Sequence, residues 1–171
     1  MQVHFKSERQ DWQTPDRVLD LVNSYRPIRL DPCTSIDNPV GADDFFIEAD
    51  DGLTQDWEMC RGGLVYVNPP YGKEQKFWIE KCVSEYVKRP FLYEKEMGTE
   101  ILLLVPARTD TVHWHHGIIA HADAICYIKG RLKFRGAASG APFPSALVYF
   151  GDRREQFKSH FEDLGHVELL G

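Results

Sequence analysis

No apolar run in this chain is long enough to cross a bilayer. Its longest, such as Ile101-Leu102-Leu103-Leu104-Val105, fall far short of the roughly 20 residues that a spanning helix needs. Met1-Gln2-Val3-His4-Phe5-Lys6 carries no signal-peptide core, so the expected location is the cytoplasm, without membrane contact. Positive charge is scarce: 20 Lys and Arg stand against 26 Asp and Glu, a formal net charge of −6. That balance excludes a protein gripping nucleic acid by overall charge, though not one with a local basic groove. Cys33, Cys60, Cys82 and Cys126 show no C-x-x-C spacing, which argues against a zinc knuckle or a redox pair. Repeats and low-complexity tracts are lacking too, and 171 residues suit one domain spanning residues 1–171, with 1–11 as a flexible tail or arm.

What the chain does have is concentrated at Val67-Asn68-Pro69-Pro70-Tyr71-Gly72, directly after the apolar Gly63-Leu64-Val65-Tyr66. Neither proline can donate to a ladder, and Pro69 drives Asn68 out of the helical region, so a buried strand must stop there in a stiff turn. The turn presents one amide, carbonyls without neighbouring N–H donors and an aromatic ring. Ligands of open α/β sheets gather outside the carboxyl ends of strands. A flat, nitrogen-bearing group fits such a place. The competing reading is a surface Pro-Pro turn, which the order strand, Asn, Tyr disfavours.

Other segments repeat the pattern of a strand ending on polar groups. Thr14 as N-cap and Pro15 at the first helical position predict a helix from about Pro15 to Tyr25, with Val18, Leu21, Val22 and Tyr25 on one stripe. Ile28-Arg29-Leu30 then leads to Asp31-Pro32-Cys33. The stretch from Ser35 to Asp56 reads as irregular, anchored by Phe45-Phe46-Ile47 and crowded with Asp43, Asp44, Asp50 and Asp51. A helix is expected from about Lys76 to Lys88, then a long connection from Arg89 to Glu100 whose Phe91, Leu92 and Tyr93 rest on the body of the protein. Ile101 to Val105 is a buried strand of the kind found inside parallel sheets. A helix from about Thr111 to Ala120 carries His113, His115 and His116, but no accepted metal spacing is completed. After a strand at Asp123 to Ile128, Arg131, Lys133 and Arg135 share one face of an extended segment, with Leu132 and Phe134 on the other. This is the dense basic patch of an acidic chain, either a charged edge strand or a phosphate-contacting hairpin. Ser145 to Phe150 (strand), Arg154 to Leu164 (helix) and His166 to Leu170 (strand) complete the chain.

Taken together, the Thr-Pro helix, Asp-Pro-Cys, Asp-Gly-Leu, Asn-Pro-Pro-Tyr, Leu-Leu-Leu-Val-Pro, Gly-Arg-Leu-Lys-Phe and Phe-Pro-Ser-Ala-Leu-Val segments resemble the phage-type DNA N6-adenine methyltransferases. These small Dam-like enzymes are often encoded by bacteriophages. The resemblance runs from about Trp12 to Phe150. It implies an α/β, Rossmann-like fold that depends on S-adenosylmethionine, with a mostly parallel central sheet, flanking helices and a C-terminal antiparallel hairpin. It also implies methyl transfer to adenine N6 in double-stranded DNA, with the base flipped out of the duplex. Thr14 and Pro15 match the segment at the cofactor's methionine end, Asp31, Pro32 and Cys33 the cofactor-binding strand end, and Asp51, with Asp50 competing, the acid at the cofactor's adenine. Asn68, Pro69, Pro70 and Tyr71 match the catalytic motif. Arg108, Arg131, Lys133 and Arg135 are the implied DNA contacts. Unlike larger methyltransferases the chain has no Gly-x-Gly loop after Leu30 and no extended target-recognition domain. Methylation of an RNA base or a protein glutamine, and a non-catalytic DNA-binding decoy, remain alternatives, and monomer and homodimer both stay open.

Overall fold

The computed structural model describes residues 12–57, 62–88 and 98–171. The expected amino-terminal arm, Cys60 and most of the connection from Arg89, with Phe91, Leu92 and Tyr93, lie outside them. Elements run α1 (Asp16–Tyr25), β1 (Ile28–Thr34), β2 (Asp44–Ile47), a 3-10 turn (Glu48–Asp50), β3 (Leu64–Val67), α2 (Gln75–Val87), β4 (Glu100–Pro106), a π-helical segment (Trp114–Ile119), β5 (Ala124–Ile128), β6 (Ser145–Phe150), α3 (Arg154–Phe161) and β7 (Gly165–Leu169). The strands form one sheet in the order β2-β1-β3-β4-β6-β5-β7. Pairings among β1 to β4 are parallel, and the three pairings that join β4, β6, β5 and β7 are antiparallel.

Every residue of β3, β4 and β6 is buried because both faces of the sheet are covered. Alternate side chains divide between two cores. Leu64, Tyr66, Leu102, Leu104, Leu147 and Tyr149 pack with Val18, Val22 and Tyr25 of α1 and with Phe157 and Phe161 of α3. Val65, Val67, Leu103, Val105, Ala146 and Val148 pack on the other face with Trp78, Ile79 and Cys82 of α2 and with Trp114 and Ile118. Each such leucine or valine contributes about 1.5–3 kcal/mol.

Several local expectations need correction. The antiparallel half is no terminal hairpin, since β6 inserts between β4 and β5 and β7 adds on the far side of β5. β1 does not stop at Asp31 but runs on to Thr34, with its register to β2 shifting between Asp31 and Thr34, where Pro32 has no N–H to give. Phe45-Phe46-Ile47 belongs to a short, half-buried edge strand, β2. Pro15 rather than Thr14 is the N-cap of α1. The expected helix after Thr111 is present but widens into π geometry at Trp114–Ile119, where Gly117 presses on α2: a Cβ there would stand 2.6 Å from Ile79 Cγ2. Residues 131–135 alternate exposed and buried as foreseen, yet they form no strand.

Strand directions place many chain ends at one edge. β1, β3 and β4 all end there, as does β5, while β6 begins there. The segment 129–144 between β5 and β6 must therefore lie on the edge where Asn68 stands.

Candidate active site

Asn68 is held from two sides. Its Nδ2 donates to the Trp12 carbonyl at 2.5 Å and to Thr14 Oγ1 at 3.2 Å, and Tyr71 Oη donates to its Oδ1 at 3.0 Å. A backbone carbonyl can only accept, so the atom facing Trp12 must be the amide nitrogen, and this fixes which way Oδ1 points. Thr14 Oγ1 bonds in turn to Tyr66 Oη at 2.7 Å inside the core. The Thr-Pro segment thus positions the Asn68 amide from the end of α1.

The β1 end comes to the same place. The Asn68 backbone N–H is directed at the Cys33 thiol, whose titration is pushed well up by burial and then by the charge of Asp31. Asp31 is 4% exposed and its carboxylate accepts from the Cys33 N–H at 3.1 Å. Burial raises its pKa to about 7, only partly opposed by the hydrogen bonds from Cys33 and Thr34, and no cation among the described residues contributes. Asp51 joins them through Gly52: a Cβ at Gly52 would stand 1.9 Å from the Pro32 carbonyl oxygen and 3.2 Å from Trp78, so only glycine lets this loop close on the strand end. Trp57 Nε1 bonds the Gly52 carbonyl at 3.0 Å from below. Asp51 adopts a left-handed backbone (φ 52°), and its exposed carboxylate has no partner among the described residues. Asp50, equally exposed, instead accepts from the Ile47 N–H at 2.9 Å, which sets it apart from its neighbour.

Above Asn68 lies an aromatic quartet. Tyr71 makes edge contacts with Phe143 (centroids 5.4 Å apart) and Phe134 (6.0 Å), and Trp12 does the same at 5.6 and 5.3 Å. Phe134 and Phe143 come from the 129–144 segment, so the Gly-Arg-Leu-Lys-Phe and Phe-Pro-Ser stretches fold over the Asn-Pro-Pro-Tyr turn. Sequence reasoning left Trp12, Phe134 and Phe143 without a role; the signal was their place beside the Thr-Pro, basic and Phe-Pro-Ser segments. Beside Tyr71 and Phe143 opens a pocket of about 360 Å³, which Gly72, Gln75, Pro106, Arg108, Asp110, Thr111 and His113 also line.

The four cations are not equivalent. Arg108 stands exposed on the pocket rim, and Arg131 and Lys133 are exposed without an ion pair among the described residues. Arg135 is engaged with Asp16, Nε to Oδ1 at 2.7 Å, and its N–H donates to the Gln13 carbonyl at 3.1 Å. Of the histidines, His113 reaches the pocket, and His115 Nε2 lies 2.8 Å from the Thr109 carbonyl.

A doubly covered α/β sheet with amide, acid and aromatic groups gathered on the carboxyl edge of its parallel strands belongs to the class that binds ligands at a reversal of strand order, here between β1 and β3. Within that class the sequence matches the family described as DNA N-6-adenine-methyltransferase (Dam) over residues 2–148, and the chain belongs to it. Membership implies DNA adenine methyltransferase activity, with DNA as the substrate. No curated protein matches the chain. Among the described residues, no helix is long and apolar enough to cross a membrane.

Proposed function

We propose that this protein transfers a methyl group from S-adenosylmethionine to the N6 amine of an adenine flipped out of duplex DNA, on a Rossmann-like methyltransferase fold. The fixed Asn68 amide is the observation that carries this reading. An exocyclic adenine amine is a poor nucleophile because its lone pair is delocalised into the ring. With Asn68 Oδ1 and the Pro69 carbonyl accepting its two hydrogens, the nitrogen can pyramidalise and aim its lone pair, so that orientation and stabilisation of growing positive charge come from the same two oxygens. Transfer would form the N–C bond as the sulfonium S–CH3 bond breaks, its electron pair staying on sulfur to leave a neutral thioether, and one proton, now acidic on N6, would leave for water; no strong base is required beforehand. Tyr71 Oη uses one lone pair of Asn68 Oδ1, which leaves the other for the amine. Pro70 keeps the turn rigid between them.

The β1 edge fits the cofactor. A carboxylate buried, as Asp31 is, without a cation among the described residues favours a positively charged ligand beside it, and Asp51 offers a second acid, unpaired among the described residues, next to Pro32 and Cys33. When bound, S-adenosylmethionine supplies an electrophilic methyl on a sulfonium centre. Asp31, Cys33 and the Thr14-Pro15 segment would hold its charged end, and Asp51 is the better acid for its adenine because Asp50 is turned to Ile47. Arg108, Arg131 and Lys133 are the cations placed to meet phosphate.

Incubating the protein with methyl-labelled cofactor and duplex DNA, RNA or a glutamine peptide tests the reading. Label is expected in DNA as N6-methyladenine, at positions that sequencing then maps. Label found in RNA or peptide, and not in DNA, overturns it.

A further inference from the structure

Of the polar side chains around the pocket beside Tyr71 that the proposed chemistry does not use, the buried one is Gln75. Gln75 opens α2, is 6% exposed and lines the pocket. Its backbone N–H bonds the Gly72 carbonyl at 3.3 Å, but its carboxamide bonds to none of the described residues. Among the described residues Ser145 Oγ is the one fully buried side-chain polar atom without a partner, so the Gln75 nitrogen and oxygen keep an opening onto the pocket. A ligand there meets a donor and an acceptor that no described residue engages. The surroundings specify that ligand: the Tyr71 and Phe143 rings bound the same pocket, and Asn68 Oδ1 lies one hydrogen bond from Tyr71. Aromatic walls with a free donor–acceptor pair suit a flat heterocycle.

We propose that Gln75 reads the ring edge of the extruded base, donating from Nε2 to the endocyclic nitrogen that flanks N6, either N1 or N7. This rests on the methyl-transfer reading above. Once Asn68 Oδ1 and the Pro69 carbonyl hold both N6 hydrogens, the atoms left beside N6 are those two acceptors, and a carboxamide supplies the complementary donor. Guanine is refused because it carries O6 where the two acceptor oxygens require an amine. Cytosine offers a ring acceptor on only one flank of its amine and a carbon on the other. Gln75 is thus a base-reading residue, and Asn68 remains the group at the reacting nitrogen.

The test uses the full chain and duplexes carrying adenine, 1-deazaadenine or 7-deazaadenine at the mapped site. The parent enzyme is expected to lose about 10- to 100-fold in kcat/KM on one of the two analogues. Gln75→Leu should lose a similar factor on adenine itself and should treat adenine and that analogue alike. Its melting temperature should equal or exceed the parent's, because no hydrogen bond is removed; a merely structural glutamine would lower it. Parent-like kcat/KM in Gln75→Leu, or equal use of all three duplexes by the parent, overturns the inference while leaving methyl transfer standing. A parent that labels no duplex overturns the functional reading and this inference with it.

Discussion

Both amide hydrogens of Asn68 are engaged by the protein, so its oxygen is aimed before any substrate arrives. Asn68→Ala removes that acceptor and is expected to lower the transfer rate by at least about 100-fold, the usual loss when one preorganised group is deleted. Cofactor affinity, measured by calorimetry, should change little, because Asp31, Cys33 and Asp51 are untouched; unchanged turnover would exclude the assigned role. Tyr71→Phe deletes only the hydroxyl on Oδ1 and should cost about 1 kcal/mol of stability in urea titration. Its activity should fall much less than that of Asn68→Ala. The Asn-Pro-Pro-Tyr turn was legible from sequence because two prolines dictate local geometry. The clamp from Trp12 and Thr14 was not, since it joins residues more than fifty positions apart, and local physics assigns a threonine before Pro15 to capping rather than to holding a distant amide. Gln75 was equally hidden: nothing in a sequence says that an amide goes unpaired.

At the scale of elements, β1 carries an acid that the fold holds partly protonated. The folded pKa of Asp31, about 7, exceeds the ordinary 3.8, so between these values the folded protein binds a proton that the unfolded chain has released. Stability from this group is full below about pH 4, declines as pH rises to about 7 and is flat above. The span corresponds to something on the order of 4 kcal/mol. Asp31→Asn should remove that slope, appearing as a denaturation midpoint above the parent's at pH 8 and near the parent's at pH 4, while weakening cofactor binding. Equal midpoint differences at both pH values would exclude the buried-acid account. β2 escaped sequence reading because a four-residue, half-buried edge strand among aspartates has too little alternation to register. By contrast β4 and β6, wholly apolar and central, were found nearly to the residue, and the switch to π geometry after His113 follows from contacts with α2 that no periodicity reports.

Across the whole molecule, stability and chemistry sit at opposite edges of the sheet. Glu100, 2% exposed at the start of β4, accepts from Tyr25 Oη at 2.9 Å and pairs with Arg26 at 2.5 Å and Arg153 at 3.2 Å, far from the strand ends that carry Asn68. The proposed DNA face has few cations on an acidic body. If Arg108, Arg131 and Lys133 each meet one phosphate, the logarithm of duplex affinity should fall with the logarithm of salt at a slope of about −2.7, near −0.9 per contact. Replacing Arg131 or Lys133 by Ala should make that slope shallower by about 0.9, because each is exposed without an ion pair among the described residues. Arg135→Ala should leave it nearly unchanged. That guanidinium already faces Asp16, and a cation neutralised by its own protein releases no counterion from DNA. The sequence groups all three as one stripe, and only the packing of α1 beneath the 129–144 segment separates Arg135 from the others. Fluorescence anisotropy with a labelled duplex between 50 and 200 mM salt, a range of about fourfold, decides the matter: equal slope changes for the three variants would put Arg135 on DNA and break the Asp16 assignment.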